Sequence, residues 1–465
     1  MQRRTVSPGR GIGITRGRGV QGTAITRTDI SRPNNVVREL HRNDGTNPRS
    51  ARGRQIAHAM EDLMDEVYGG GITQPPPQKE KEKNSSLSPS ETVNGGPYAR
   101  FRTSFNASAV PKSWRSGPVD TSGRCFNASD RNLLCMDVHF QSKLCVVGSA
   151  DHGLKVFDIT TGREKRNLYT KNYGHTEWVT SCKFFQNSGQ IISGGMDSKL
   201  CLWSATGPVR CSELLGHTGS ISQVEVNNDN SSNIAMSSSY DRTLRVWDCS
   251  PGGAGGRCVA TLAGHNAPVT MFAWCGTQVL SGDRRGAAKA WDVETGGCLA
   301  TLAASRGQIG ALWHLVSGGA GLLSAVGDQG GVLTVLDVGR TGSKPVYQDV
   351  LHPGGAVTGI RSIDETPYFI TAGADKVILT LDPRAGFAPI HRFTDHRDFI
   401  YSLETFGPLI LSGAGNGWLL VHDAIMGNCC YGLGANSAAV REIAATPTYL
   451  VAAGDDGNAM VYDYQ

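Results

Sequence analysis

The chain has 465 residues, enough for one large domain or two to three ordinary ones, and its formal net charge is +4. It has no apolar run of 18 residues and no apolar signal-peptide core at its amino terminus, which argues against a membrane span and against secretion. Its twelve cysteines are scattered singly except for Cys429 and Cys430, a pattern typical of reduced thiols, so we expect an intracellular, cytoplasmic protein, with a cytoskeletal, ciliary or nuclear location left open.

The first 121 residues are predicted to form a basic, largely disordered arm. Residues 1–120 hold 19 Lys or Arg against 11 Asp or Glu, whereas the remaining residues are mildly acidic. The first 54 residues contain 12 arginines and no lysine, and a segment so poor in large apolar side chains cannot bury enough surface to fold alone. Such arginines can bind RNA or another polyanion through charge and stacking. The candidate residues for this contact are Arg3, Arg4, Arg10, Arg16 and Arg18.

The composition of the arm also bears on what it binds and on how its segments are organised. No aromatic residue lies between Arg3 and Arg54, and the missing stacking partner favours an arm that docks into a protein assembly over one that binds RNA. Gln55–Tyr68 spaces its apolar residues as one face of a helix, which predicts a short amphipathic helix at 55–68. Residues 74–97 are rich in Pro and charge and predict a linker.

Eight units of similar length follow the arm. Each contains short apolar runs separated by turn residues, which predicts four short strands per unit. Successive units close 40 to 46 residues apart, on an aromatic residue, Leu or His followed by Asp or Ser. The closing pairs are Phe157-Asp158, Trp203-Ser204, Trp247-Asp248, Trp291-Asp292, Leu336-Asp337, Leu381-Asp382, His422-Asp423 and Tyr462-Asp463.

This pattern resembles the WD40-repeat family, whose units recur at this period with Gly-His early and Trp-Asp late. The resemblance covers about residues 122–465 and implies an all-β propeller, in which stacked blades bury the faces that a single four-stranded blade would leave exposed. Eight blades is the preferred count, and seven blades with one unit outside the ring remains open. The resemblance also implies a rigid platform that binds other proteins.

The family often carries a buried chain of His, Ser or Thr, Asp and Trp side chains in each unit. Because buried polar groups must be satisfied, these four side chains would hydrogen-bond to one another. The complete sets here are His175, Ser193, Asp197 and Trp203 in the second unit, and His217, Ser237, Asp241 and Trp247 in the third. In the fourth unit Arg285 stands where the spacing expects Asp, and units five to eight lack Gly-His.

The last unit predicts how the ring closes. The chain ends on the third strand of the eighth unit, so that unit lacks a fourth strand of its own. Gly123–Ser129 precedes the first unit and aligns with Gly256–Leu262, an outer strand of the third unit. We therefore expect the strand at 123–129 to complete the last blade, with the propeller domain running from 122 to 465.

No residue pattern predicts catalysis, a metal site or a cofactor. His175, Ser193 and Asp197 match a hydrolase triad in type, but a similar set recurs 44 residues later, as a structural network would and a single active site would not. The cysteines and histidines have no zinc-binding spacing, and no nucleotide-binding loop occurs. We expect no enzyme activity and no cofactor.

The propeller at residues 122–465 therefore predicts a non-enzymatic scaffold or adaptor whose partners are other proteins. We expect the arm to dock into a larger assembly, with a cytoskeletal or ciliary assembly as one candidate. Trp178, Arg284 and Arg285 are candidate contacts on loops, where binding residues concentrate. A first alternative is a substrate receptor of a cullin-type ubiquitin ligase. Some family members of that kind carry Trp-Asp-x-Arg, and here Asp382 and Arg384 follow Leu381. A second alternative is an RNA-associated factor that uses the arm.

Overall fold

A computed structural model describes residues 110–465, apart from short internal segments. The arginines of the arm, the helix predicted over 55–68 and the linker at 74–97 lie outside these residues. No helix in the described part of the chain is long and apolar enough to cross a membrane. The internal segments left out are 170–172, 205–208, 228–232, 251–255, 276–277, 304, 306, 318–320, 338–343 and 364–365.

The described residues form eight antiparallel sheets of four strands each. Blades 1 to 4 are built in chain order from consecutive strands. Their strands are β2 (Leu133–His139), β3 (Leu144–Ser149), β4 (Leu154–Asp158) and β5 (Arg163–Asn167); β6 (Val179–Phe184), β7 (Ile191–Gly195), β8 (Leu200–Trp203) and β9 (Cys211–Leu214); β10 (Ile221–Val226), β11 (Ile234–Ser239), β12 (Thr243–Asp248) and β13 (Arg257–Ala263); β14 (Val269–Cys275), β15 (Gln278–Asp283), β16 (Ala287–Asp292) and β17 (Cys298–Ala303).

Blades 5 to 7 repeat this order, and blade 8 takes its fourth strand, β1, from the beginning of the described chain. Their strands are β18 (Ile309–Ser317), β19 (Gly321–Asp328), β20 (Val332–Asp337) and β21 (Tyr347–Val350); β22 (Val357–Ser362), β23 (Phe369–Gly373), β24 (Ile378–Asp382) and β25 (Ala388–Phe393); β26 (Ile400–Phe406), β27 (Leu409–Ala414), β28 (Trp418–Asp423) and β29 (Asn428–Gly434); β30 (Val440–Ala445), β31 (Tyr449–Gly454), β32 (Asn458–Asp463) and β1 (Arg124–Asn127).

The blades stand side by side in a closed ring. The first strand of each blade contacts the first strand of the next, and β30 of blade 8 contacts β2 of blade 1. In every blade the pairing of the first two strands shifts register after the first residue, a β-bulge that increases local twist. The prediction of an all-β propeller is confirmed, with eight blades rather than seven.

The core lies between the blades. Val146 and Leu154 of blade 1 share one buried cluster with Phe184 and Trp203 of blade 2, and the other clusters join neighbouring blades in the same way. The second strands are apolar over most of their length because they are covered on both faces; Ile191–Gly195 is buried at every residue. Burial between blades is therefore what holds each four-stranded sheet in place.

The ring closes through β1, which pairs antiparallel with β32 from Arg124 opposite Val461 to Asn127 opposite Asn458. Phe126 is buried, and its ring stacks on Phe157 of blade 1 with the centroids 4.2 Å apart. The sequence places this strand at 123–129, and the observed strand falls within that range. Blade 8 thus joins the two ends of the described chain.

A short helix, α1 (Lys112–Ser116), packs on blades 7 and 8. Trp114 is fully buried and stacks on Tyr464, 4.0 Å away and nearly parallel, while its indole Nε1 donates to the Pro447 carbonyl at 3.1 Å. Arg115 forms an ion pair of 2.9 Å with the buried carboxylate of Asp423. Residues 110–119, which we call the latch, therefore pack on the propeller, although the sequence assigns them to the disordered arm.

Strand order also defines two ends of the ring. The upper end carries the connections from one blade to the next and the turns between second and third strands, and the lower end carries the remaining turns. The latch lies at the lower end, because Trp114 contacts Phe406 and Pro447, which flank turns between first and second strands. Residues 110–119 therefore lie at the lower end of the propeller.

Candidate protein-binding site

The predicted networks form in blades 2 and 3 at the upper end. In blade 2, the two imidazole nitrogens of His175 lie 2.8 Å from the Ser193 hydroxyl and 3.1 Å from the Asp197 carboxylate. Trp203 donates its indole N–H to the same Ser193 oxygen at 2.9 Å. The side chains of His175 and Ser193 are buried, so this set joins a turn to two strands inside the blade and is closed to solvent.

Blade 3 repeats this geometry with shorter contacts. His217 lies 2.7 Å from Asp241 and 2.8 Å from Ser237, and Trp247 donates to Ser237 at 2.8 Å. Although burial acts to raise the pKa of Asp241, hydrogen bonds from His217 and Thr243 hold it well below its usual value. Asp241 is therefore ionised at neutral pH and keeps His217 in place.

Three more blades carry networks that the sequence reading did not find. In blade 4 the carboxylate comes from Asp283, two residues before Arg285, and it lies 3.0 Å from His265. Arg285 stands at the turn position that Asp241 has in blade 3, and Asp283 supplies the acid in its place. In blade 6 His352 contacts both Thr371 and Asp375, and in blade 7 His396 contacts Ser412.

The upper opening of the ring is lined by pairs of residues in equivalent positions. In each blade, the carbonyl of the residue before the first strand accepts a hydrogen bond from an amide in the turn between the second and third strands. The pairs, from blade 1 to blade 8, are Asn132 with Ala150, Trp178 with Met196, Ser220 with Tyr240, Pro268 with Arg284, Gln308 with Gln329, Ala356 with Ala374, Phe399 with Gly415 and Ala439 with Asp455.

Blades 2 to 4 make one sector of this opening aromatic and basic. We call the half-buried residues Trp178, Met196, Tyr240 and Arg284 the rim sector. Ser220 donates to the Met196 carbonyl at 3.1 Å, which ties blade 2 to blade 3. Burial raises the pKa of Tyr240 in blade 3, against the opposing effect of the Arg284 guanidinium in blade 4.

The predicted contact residues divide between the two ends. Trp178 and Arg284 belong to the rim sector, and Arg285 is exposed beside it in the same turn. Asp382 and Arg384 lie at the lower end, in a 3₁₀ turn at Pro383–Ala385, where their side chains form an ion pair of 2.9 Å. The Arg384 guanidinium also lies over the Tyr368 ring at 5.5 Å. The structure thus places three of the five residues at the upper end and two at the lower end.

Charged residues line the channel below the rim. Lys183 and Glu225 on neighbouring first strands lie 3.5 Å apart, as do Arg361 and Glu404. Burial raises the pKa of Glu442 to about 7, against the opposing effect of Lys183 and other cations. Two bases and two acids surround Glu442, so their charges balance and burial is the main cause of its raised pKa. These four groups are Lys183, Arg361, Glu225 and Glu404.

Comparison with known proteins identifies the repeat. The family model described as "WD domain, G-beta repeat" matches residues 166–204 and 209–248, which contain most of blades 2 and 3. Autophagy-related protein 16 of Arabidopsis thaliana is 28% identical over 166 residues, 35% of this chain and 31% of its own length. Protein tipD of Dictyostelium discoideum is 25% identical over 166 residues, 35% of this chain and 25% of its own. The match therefore spans about a quarter to a third of these relatives.

Solved structures share the whole ring. Sqt1 of Chaetomium thermophilum, in a crystal structure bound to the N-terminus of the ribosomal protein L10, has a TM-score of 0.65 at 17% identity, covering 74% of this chain and 100% of that chain. Sqt1 of Saccharomyces cerevisiae has a TM-score of 0.66 at 15% identity, covering 74% of this chain and 98% of that one. These likenesses concern the fold. Residues 166–204 and 209–248 are therefore WD repeats, and the described residues form a β-propeller of eight blades.

Proposed function

We propose that the chain is a non-enzymatic adaptor whose propeller binds an extended segment of another protein across the rim sector. The observation that carries this proposal is the concentration of Trp178, Met196, Tyr240 and Arg284 in one sector of the upper opening. Trp, Tyr, Met and Arg are the residue types enriched at protein interfaces, and Trp, Tyr and Arg dominate binding hot spots.

The rim sector is suited to binding because the fold holds it in position. Its four residues all belong to backbone pairs that bridge two turns of one blade, with N–O distances of 2.9 Å. A backbone that is already held in one conformation loses less conformational entropy when a partner binds. The sector is also amphipathic, since Trp178 and Met196 offer apolar surface while Arg284 and Arg285 offer positive charge. A suitable segment carries an apolar side chain followed by a carboxylate.

The solved structure of Sqt1 with the N-terminus of a ribosomal protein supports this proposal, because it is a case in which a chain with a similar fold binds a terminal protein segment. The arm would then hold the adaptor in its assembly from the lower end, where residues 110–119 pack. The two ends of the ring would therefore contact different molecules.

The test compares three full-length variants for partner capture from the native cell. Trp178→Ala and Arg285→Ala alter the rim sector and the charge beside it, and Arg384→Ala is the matched control at the lower end. Because truncating one hot-spot residue commonly costs 2 kcal/mol or more, we expect Trp178→Ala to reduce capture of the main partners by about tenfold or more. Equal capture by wild type and both upper-end variants would refute the proposal, provided that their melting temperatures match.

The same experiment examines the ligase alternative. A substrate receptor that uses Asp382 and Arg384 would lose cullin-ligase subunits in Arg384→Ala and keep them in Trp178→Ala. The ion pair between Asp382 and Arg384 is local to one turn and accounts for both residues as a structural cap. Ligase binding and RNA binding by the arm therefore stay predictions.

A further inference from the structure

Blade 7 departs from the network of blades 2 to 4 at three positions. Asp395 precedes His396 where the other blades have Gly, Asn416 stands at the position of the acid, and His422 stands at the position of the indole. In register, His422 opposes Ile410 just as Trp203 opposes Ile191 in blade 2. Blade 7 therefore has an imidazole where blades 2 to 4 have an indole, and an indole N–H can only donate a hydrogen bond.

The replaced side chain lies among other donor atoms. The His422 Nε2 atom is 3.1 Å from the Asp395 carboxylate, and Cys429 on β29 is the register partner of His422. The donor atoms of these three residues all lie within 4.8 Å of one another, and no other such group of three His, Cys, Asp or Glu occurs in the described part of the chain. The His422 side chain is fully buried, whereas Asp395 and Cys429 reach solvent.

Comparison with other blades shows that the His at position 422 is what makes a set of metal-binding atoms in blade 7. A cysteine occupies the place of Cys429 in three of them, opposite Trp203, Trp247 and Trp291 respectively. An indole N–H donates a hydrogen bond and cannot bind a metal ion. The recurring cysteine becomes one member of a mixed donor set only where the tryptophan has changed to histidine. The cysteines in question are Cys211, Cys258 and Cys298.

We propose that Asp395, His422 and Cys429 bind a single divalent ion of the zinc class in blade 7, with water as the fourth ligand. A carboxylate oxygen, an imidazole nitrogen and a thiolate together suit zinc better than magnesium or calcium, which prefer oxygen alone. Zinc needs ligands at about 2.0–2.3 Å, so rotation of the exposed Asp395 and Cys429 side chains would close the set around the fixed imidazole.

The protonation states suit such a site. Burial lowers the pKa of His422, so the ring is neutral at pH 7 and can donate a lone pair. Its buried Nδ1 has no hydrogen-bond partner among the described residues, so it can take the ring proton when Nε2 exchanges its hydrogen bond to Asp395 for a bond to the metal. Burial and the nearby Asp395 raise the pKa of Cys429 to about 11, so the group is a thiol at neutral pH. On binding, the S–H bond breaks, a sulfur–metal bond forms, and one proton passes to the buffer.

The test uses the full-length chain, freed of metal with a chelator and without an affinity tag, titrated with Zn²⁺ by calorimetry in two buffers of different ionisation enthalpy. We expect one strong site and a heat that differs between the buffers because a proton is released. Removing an outer-shell partner of a metal ligand typically weakens binding by 10–100-fold, so Cys429→Ser should weaken it by at least about tenfold. Cys298→Ser is the matched control, since Cys298 lies opposite Trp291, and it should bind zinc as wild type does.

Co²⁺ gives a second readout. The wild-type chain should show a thiolate-to-cobalt charge-transfer band that Cys429→Ser lacks and Cys298→Ser retains, and Asp395→Asn should weaken the band without affecting folding. Equal zinc affinity in wild type and Cys429→Ser would overturn the proposal, as would the absence of any stoichiometric site. In either case the contact between Asp395 and His422 would be a hydrogen bond and nothing more.

Discussion

Blades 2 and 3 have the same backbone as blade 7 but use it differently. In blades 2 and 3 the His, Ser, Asp and Trp side chains satisfy one another inside the blade. In blade 7 the serine and one histidine remain, while His422 replaces the indole and turns to Asp395. The strands pair in the same register in both cases.

The comparison teaches that the backbone of a blade depends on burial between blades more than on the complete network. Leu381 of blade 6 and His422 of blade 7 both fill the Trp position without changing the strand order. Positions that depart from the repeat are therefore available for other chemistry. The rim sector and the donor set of blade 7 are two such departures.

The largest predicted effect concerns closure of blade 8, the one blade without a fourth strand next to it in sequence. Deleting residues 1–129 removes β1 and the buried Phe126 as well as the latch, and should destabilise the propeller by more than about 5 kcal/mol, because the loss of a buried aromatic alone costs 3–5 kcal/mol. Chemical denaturation measures this free energy. Deletion of residues 1–109 is the control, and a similar stability for both deletions would show that β1 does not close the ring.

The next effect concerns the latch, which covers blades 7 and 8 and has no counterpart on blades 2 to 4 among the described residues. Trp114→Ala removes a buried indole and its hydrogen bond to Pro447, and should cost about 3–5 kcal/mol of unfolding free energy. Val119→Ala is the control, because the Val119 side chain is exposed, and it should change stability by less than about 0.5 kcal/mol. A small effect of Trp114→Ala would mean that the latch is not part of the folded core.

A smaller loss of stability is expected from a substitution in the side-chain network of blade 3, and blade 7 provides the comparison. Asp241→Ala in blade 3 leaves the buried His217 without its carboxylate and should cost about 1–3 kcal/mol at pH 7. Because its pKa is lowered in the folded state, Asp241 stabilises the chain above the usual aspartate pKa, and this contribution disappears as the pH falls through the lowered value. Asn416→Ala in blade 7, where Asn replaces the acid of this turn position, should cost less in the same denaturation assay. Equal costs would contradict the role of the acid.

The smallest effect concerns the channel. The pKa of Glu442 is raised from 4.5 to about 7, so the folded state loses stability as pH rises through that interval. Glu442→Gln should remove this loss, and its stability relative to wild type should grow between pH 4.5 and pH 8. Glu225→Gln is the control, because Glu225 is already paired with Lys183. Parallel stability curves for Glu442→Gln and wild type would show that Glu442 titrates normally.

The period of the repeat made most of the fold predictable. Eight closing pairs at similar intervals, and a missing fourth strand at the end, were enough to predict the blades and the strand near Arg124. Two complete networks were also predictable, because Gly-His marks their beginning and Trp followed by Ser or Asp marks their end. The network histidines of blades 6 and 7 were missed because Leu351 and Asp395 replace the glycine before them, although His352 precedes Thr371 by nearly the spacing that separates His175 from Ser193.

The remaining features depend on contacts between residues far apart in sequence. Trp114 lies in a polar stretch, and only the three-dimensional structure shows that Tyr464 and Phe406 enclose it. In the same way, Tyr240 and Arg284 come from turns of different blades, and their common place at the rim follows from the geometry of the ring. The acid of blade 4 was missed because Asp283 reaches His265 from two residues earlier than the spacing indicates.

The adaptor role is tested most directly by affinity purification from the native cell of three forms: the full chain, residues 1–109 and residues 110–465, each with and without nuclease. If the propeller is the adaptor, residues 110–465 should retain the main protein partners of the full chain, and nuclease should not change their recovery. Recovery that follows residues 1–109 and is lost with nuclease would contradict the account and identify an RNA-associated protein in which the propeller has a secondary role.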